Sequence, residues 1–272
     1  MVESDPERGI TGRQYDPEAD HPFPDERLNA VLDRITTDEE ITAYLEAQNV
    51  NPVDRMGYND HGTKHIEIVR DRALTLYELL KSGGVSFNAP EHGLSEADEP
   101  VVVALAATLH DIGHVVHRDD HSYYSIPLAA DVLDRLLSEL PWYDIAERVQ
   151  LKGEVLHAIL CHHAAEKPLT NEAGIVRVAD GLDMERGRSR RPYEKGGRGI
   201  NTLSSRAIRA VRLTAGTDAP VSVEIEMTSA VGVYQVDELL KSKLEHSRIE
   251  RYIDIVAVSS NDDDELVDRI EL

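Results

Sequence analysis

Apolar positions are sparse and unperiodic over residues 1 to about 25, which predicts a loosely attached N-terminal arm. From there Leu28, Val31, Leu32 and Ile35 recur at helical spacing, and Thr37 with Glu40 predicts a capping box opening a second helix that runs to Leu45. A stronger stripe follows. Ile66, Val69, Ala73, Leu76, Leu79 and Leu80 lie on one helix face, which Gly83 and Gly84 end. The stretch Val101 to Leu109 is apolar nearly all round and predicts a buried helix that runs straight into the sequence HDIGH at 110–114. Further helices are predicted from Pro127 to Leu140, from Asp144 to about His162 and from Gly174 to about Met184.

After Met184 the pattern changes. ERGRSRRPYEKGGRGINT is too polar for a core and reads as a loop or linker. Beyond it Val221, Val223, Ile225 and Met227 alternate with polar residues, the period of a half-buried strand, and Arg251 to Ser259 predicts another. Val236, Leu239, Leu240 and Leu244 mark a helix between them, and Ala207 to Leu213 is placed to pair with the first strand across Gly216 to Pro220. The expected fold is therefore mostly α: an arm over residues 1–27, a helical domain over 28–199, and a small C-terminal α/β module of β-β-α-β order over 200–272.

Composition narrows the function. With 51 acidic against 29 basic residues the formal charge is -22, which argues against generic binding to the phosphate backbone of a nucleic acid. Few lysines, scarce aromatics and many small apolar residues give the chain the composition of a salt-adapted, halophilic protein. The single cysteine, Cys161, excludes an intramolecular disulfide and fits a reducing cytoplasm. No apolar run approaches membrane-spanning length, and the first residues lack a hydrophobic signal segment, so a soluble, unexported chain is expected.

Most of the twelve histidines fall between His61 and His163. Neutral imidazoles and carboxylates are ligands for zinc and first-row transition metals, and the pairs His61/His65 and His110/His114 have the four-residue spacing that puts both rings on one helix face. Asp111 adds an anionic ligand, and Gly113 removes side-chain bulk where a substrate would approach. His21, His92 and His246 read as surface or structural residues, and His157 as structural. His117 is balanced between solvated loop and substrate contact, and Asp183 between support of a ligand and a helix-surface carboxylate.

His65, then His110-Asp111, then Asp180 resemble the H…HD…D ligand signature of the HD-domain metal-dependent phosphohydrolases, over roughly residues 55 to 190. The resemblance implies metal ligation by these four residues, with His61 the weaker candidate. His121, His162 and His163 resemble the additional ligands of members that hold two metals, although the lysine and the Gly-Tyr-Pro tripeptide of the HD-GYP subgroup are absent and His114 stands where that lysine would be. The resemblance extends to a deoxynucleotide triphosphohydrolase branch, in which His114 and His121 would serve phosphates or proton transfer.

The family resemblance implies hydrolysis of a phosphoester in a nucleotide or related phosphorylated small molecule. One or two divalent ions are expected, with Mn, Fe, Zn, Ni and Co equally compatible. Asp111, His114 and His121 are the catalytic candidates. Arg186, Arg188, Arg191 and Lys195, which follow Asp180 closely, form a candidate phosphate clamp, against the alternative that they pair with surface carboxylates. No Walker P-loop, dinucleotide fingerprint or G-x-S-x-G elbow is present. A non-hydrolytic nucleotide sensor and an HD-type di-iron oxygenase stay open, as does a homo-oligomer.

Overall fold

In a computed structural model, residues 26–163, 165–188, 193, 200–259 and 269–271 are described. Residues 1–25 of the N-terminal arm, Arg191 and Lys195 lie outside these residues. The first helices are α1 (Glu26–Thr37), α2 (Glu39–Ala47) and α3 (Thr63–Ser82). α1 thus opens two residues before the boundary expected at Leu28. The cap of α2 is Asp38, whose carboxylate accepts from the Ile41 N–H at 2.9 Å, in place of the capping box expected from Thr37.

α4 (Glu99–Leu109) is the centre of the molecule. All eleven of its residues are buried, as its apolar circumference requires, and it packs against α1, α3, α6 (Ile145–Cys161) and α7 (Asn171–Leu182). The start of α6 is the expected one: Asp144 caps it, accepting from the Glu147 N–H at 2.9 Å.

Two helices begin earlier than their periodicity indicates. α5 (His121–Ser138) starts six residues before Pro127, which it carries inside. Its first turn is held by tertiary bonds, because the Ser125 hydroxyl donates to the His110 carbonyl at 2.7 Å and accepts from the Gly113 N–H at 2.8 Å. α7 begins at Asn171, capped by the Thr170 hydroxyl, so Gly174 lies inside the helix. The Gly- and Arg-rich segment expected to be a loop ends in a helix, α8 (Ile200–Ala207).

The C-terminal module has the expected β-β-α-β order. β1 (Ile208–Ala215) runs antiparallel to β2 (Val221–Met227) with Leu213 opposite Val223, and β2 runs parallel to β3 (Ile253–Ser259) with Val223 opposite Ile255. The crossover between β2 and β3 includes a π-helical segment (Gln235–Leu240) continued by α9 (Lys241–Leu244). A short fourth strand, β4 (Arg269–Glu271), pairs antiparallel with β3. The chain is accordingly mostly α without being all-α. Residues of the sheet and of the helices share one continuous apolar core, in which Val223 and Ile255 belong with Leu76, Leu105 and Val176. No helix among the described residues is long and apolar enough to cross a membrane.

Candidate metal centre

Four helices and one turn deliver the histidines. The HDIGH sequence ends α4 and forms a 3₁₀ turn (Ile112–Val115), leaving His110, Asp111 and His114 buried. His65 sits in the first turn of α3, His121 opens α5, His162 follows the end of α6, and Asp180 lies in the last turn of α7. Asn51 secures the turn from outside, donating to the His114 carbonyl at 2.8 Å.

Asp111 is the hub. Its Oδ2 lies 3.4 Å from His65 Nε2 and 3.5 Å from His110 Nε2. Its Oδ1 lies 3.2 Å from His121 Nε2 and 3.5 Å from His162 Nε2. Asp180 Oδ1 completes the first set, 3.3 Å from His65 Nε2 and 3.9 Å from His110 Nε2. Two atoms sharing an ion at about 2.1 Å each lie roughly 3 to 3.5 Å apart at octahedral or tetrahedral angles, so most of these separations are those of a ligand set.

The far nitrogens support the same conclusion. Nδ1 of His110 faces the Ala107 carbonyl at 2.9 Å, Nδ1 of His121 the Arg118 carbonyl at 2.8 Å, and Nδ1 of His162 the Ile159 carbonyl at 2.6 Å. A carbonyl only accepts, so each Nδ1 carries its proton and each neutral ring turns the Nε2 lone pair inward. His65 Nδ1 is held by Asp183 Oδ2 at 2.6 Å, so Asp183 is a buried support for a ligand, one of the two roles left open by its sequence position. His65 Nε2, His110 Nε2 and Asp180 Oδ1 are buried without a hydrogen-bond partner. Such orphaned polar atoms, grouped with carboxylates, fit a divalent cation.

Burial opposes charge throughout. Desolvation lowers the proton affinity of His162 to about 3 and of His61 to about 4, even though Asp111 faces both rings. Burial and Arg188 act in the same direction on His65, but the surrounding carboxylates of Asp111, Asp180 and Asp183 prevail and raise it to about 10, a proton that a bound cation would displace. Burial would raise Asp180, but Lys243, His65 and Arg188 hold it well below the usual carboxylate range.

Of the remaining sequence candidates, His114 is buried with Nδ1 on the Asp111 carbonyl at 3.0 Å, and its ring is stacked between those of His61 and His121. His61 comes closer to the hub than its sequence ranking indicates, with Nδ1 at 2.8 Å from Asp111 Oδ2, and it groups with Asp111 and His114. His163 stands apart: its ring centre is 5.5 Å from that of His121, and it belongs to no ligand group among the described residues. His157 accepts from the Leu169 N–H at 2.9 Å, a structural position. Gly113 serves packing: a Cβ there would overlap the His121 carbonyl oxygen, so the residue lets α5 approach, in place of the substrate access expected.

Asp111 and Asp180, with His61, His114, His121, His162 and His163, line a cavity of about 530 Å³. Arg188 reaches it, with its guanidinium 3.7 Å from Asp180 Oδ1 and donating to the Asp183 carbonyl at 2.7 Å, whereas Arg186 is exposed and does not line it. The lining residues without a sequence signal include Arg118, whose guanidinium lies 3.9 Å above the Tyr58 ring, Tyr58 itself, and Lys243 from α9.

Comparison with known proteins agrees with this architecture. The HD domain family model matches residues 81–185, which include His110, Asp111 and Asp180 but not His65. The chain is 36% identical over 229 residues to the uncharacterized protein MJ1020 of Methanocaldococcus jannaschii, covering 84% of this chain and 87% of that one. It is 27% identical over 153 residues to ribonuclease Y of Roseiflexus sp. (strain RS-1), 54% of this chain but 26% of that protein. With the matched motif seated in a buried cluster of histidines and aspartates suited to divalent metal, the chain carries an HD domain, a domain of the metal-dependent phosphohydrolase superfamily.

Proposed function

We propose that the protein hydrolyses a phosphoester in a nucleotide or related phosphorylated small molecule, using two divalent ions. The observation that carries this reading is Asp111, whose two oxygens face separate sets of inward lone pairs, His65 and His110 on one side and His121 and His162 on the other. His65, His110 and Asp180 would hold one ion, His121 and His162 the other, and Asp111 would bridge them. Bound ions would polarise a phosphoryl oxygen and lower the pKa of water. His121 then serves as ligand, which leaves His114 to orient water or pass a proton at the cavity wall, with His163 at the rim outside the ligand set. Arg188 holds Asp180 in place and presents its remaining donors to phosphate.

Elemental analysis of freshly purified protein, followed by phosphate release from a nucleotide and phosphodiester panel with added manganese, tests the reading. Asp111→Ala and Asp180→Ala are expected to abolish turnover, and His246→Ala to leave it intact. Full activity in metal-free protein, or in Asp180→Ala, would remove the reading. Oxygen consumption with iron dependence would replace it by oxygenase chemistry. Ribonuclease Y is a partial relative, so short RNA belongs in the panel.

A further inference from the structure

Lys243 brings the C-terminal module into the candidate site. It lines the cavity together with Gln235, Leu239 and Ser242 of the same segment, so one wall of the site belongs to the module. Its Nζ contacts Asp180 Oδ2 and donates to the His162 carbonyl at 3.2 Å. The ammonium thus stands beside both halves of the ligand cluster with two of its three donors engaged.

The position of Lys243 is fixed by its backbone. α7, which carries Asp180, presents Gly174, Arg177 and Gly181 along one face, toward the segment 242–247. A Cβ on Gly174 would overlap the Ser247 carbonyl oxygen, and one on Gly181 would stand 3.0 Å from Lys243 Cδ. Between them the buried Arg177 guanidinium donates to the Lys243 carbonyl at 2.9 Å, to Ser242 at 3.1 Å and to the His163 carbonyl at 2.8 Å. One guanidinium therefore binds the main chain of Lys243 to the end of α6 where His162 lies.

Arg118, Arg188 and Lys243 all line this cavity, in a chain whose formal charge is -22. A phosphodiester brings one negative charge, whereas a phosphomonoester, whose second pKa is about 6, brings nearly two at neutral pH. Cations beyond the metal ligands match the second charge. On the phosphohydrolase reading above, we propose that Lys243 is a substrate-positioning residue that binds a phosphoryl oxygen, and that with Arg188 it makes the site selective for phosphomonoester dianions over phosphodiesters.

Manganese-loaded full-length protein is assayed with p-nitrophenyl phosphate and bis(p-nitrophenyl) phosphate, and titrated calorimetrically with inorganic phosphate and dimethyl phosphate. The wild type is expected to prefer the monoester and to bind inorganic phosphate more tightly than dimethyl phosphate. Lys243→Gln should lower monoester kcat/KM and phosphate affinity by about 10- to 100-fold, the range for a hydrogen bond to a charged group, and lower the monoester-to-diester ratio at least about tenfold. Metal content should stay at the wild-type value, and Lys243→Arg should recover part of the ratio. If Lys243→Gln does not fold, Lys243→Met keeps the methylene stem packed on Gly181. Equal loss on both esters, or loss of metal, would show that Lys243 only neutralises Asp180 and would overturn the proposal. A diester preference in the wild type overturns the selectivity alone, and a wild type that neither binds phosphate nor turns over either ester overturns the phosphohydrolase reading itself.

Discussion

His121 Nε2 and His162 Nε2 stand 3.0 Å apart, and both rings have their Nδ1–H groups engaged by main-chain carbonyls. Neither Nε2 carries a proton in the neutral rings, so two lone pairs face each other within a hydrogen-bond length beside the Asp111 carboxylate. A cation between or beside them turns this repulsion into attraction. Chelator-treated protein is therefore expected to gain thermal stability on addition of manganese or zinc, by linkage of binding to folding. His162→Ala should lose about one metal equivalent, measured by elemental analysis, and part of that gain. Unchanged metal content with a fall in rate alone would return these histidines to proton-transfer or phosphate-binding roles.

Asp183 touches His65 at a distance of 118 residues along the chain and fixes which ring nitrogen faces the cluster. Supports of this kind typically carry about 10- to 100-fold in metal affinity or activity. Asp183→Asn is expected to weaken metal binding by that order while the far-ultraviolet circular dichroism stays that of the wild type. Wild-type affinity in titration with a competing chelator would contradict the assignment.

Gly113→Ala is expected to destabilise, because its Cβ would overlap the His121 carbonyl and push the first turn of α5, with His121, off the cluster. The cost is about 1–3 kcal/mol or more, as for other overpacked sites. Gly153→Ala, inside α6 with nothing within 4 Å of its Cβ, should stabilise by about 0.4–1 kcal/mol. Denaturant unfolding of the two variants reads opposite signs if the packing is as described.

The histidines of the cluster also fix the pH response of metal-free protein. His61 and His162, lowered from 6.5 to about 4 and about 3, stay neutral in the fold while the unfolded chain takes up protons below 6.5, so stability falls as pH drops from 6.5 toward 4. His65, raised to about 10, acts in the other direction: its contribution is complete below 6.5 and disappears as pH rises toward 10. Urea midpoints after chelation should therefore fall on both sides of near-neutral pH. A steady rise from pH 6.5 to 10 would contradict the assignment of the His65 proton.

Elements whose signal is local are legible in the sequence alone. The Ile66–Leu80 stripe, the apolar run of α4, the capped start of α6 and the two-residue alternation of β2 each repeat within a few residues, and packing only had to accept them. His110 and Asp111 were legible because they are adjacent, at the end of a helix that burial alone marks out. The rest depends on contacts between distant segments. The early start of α5 depends on Ser125 bonding to His110, the tautomer of His65 on Asp183, and the cationic wall on an α9 lysine held by Arg177. These contacts join segments with no shared period, and each is a pairing of polar groups that only becomes compulsory once the core has removed water from both partners. Composition and periodicity report what a residue prefers, whereas such pairings report what it meets.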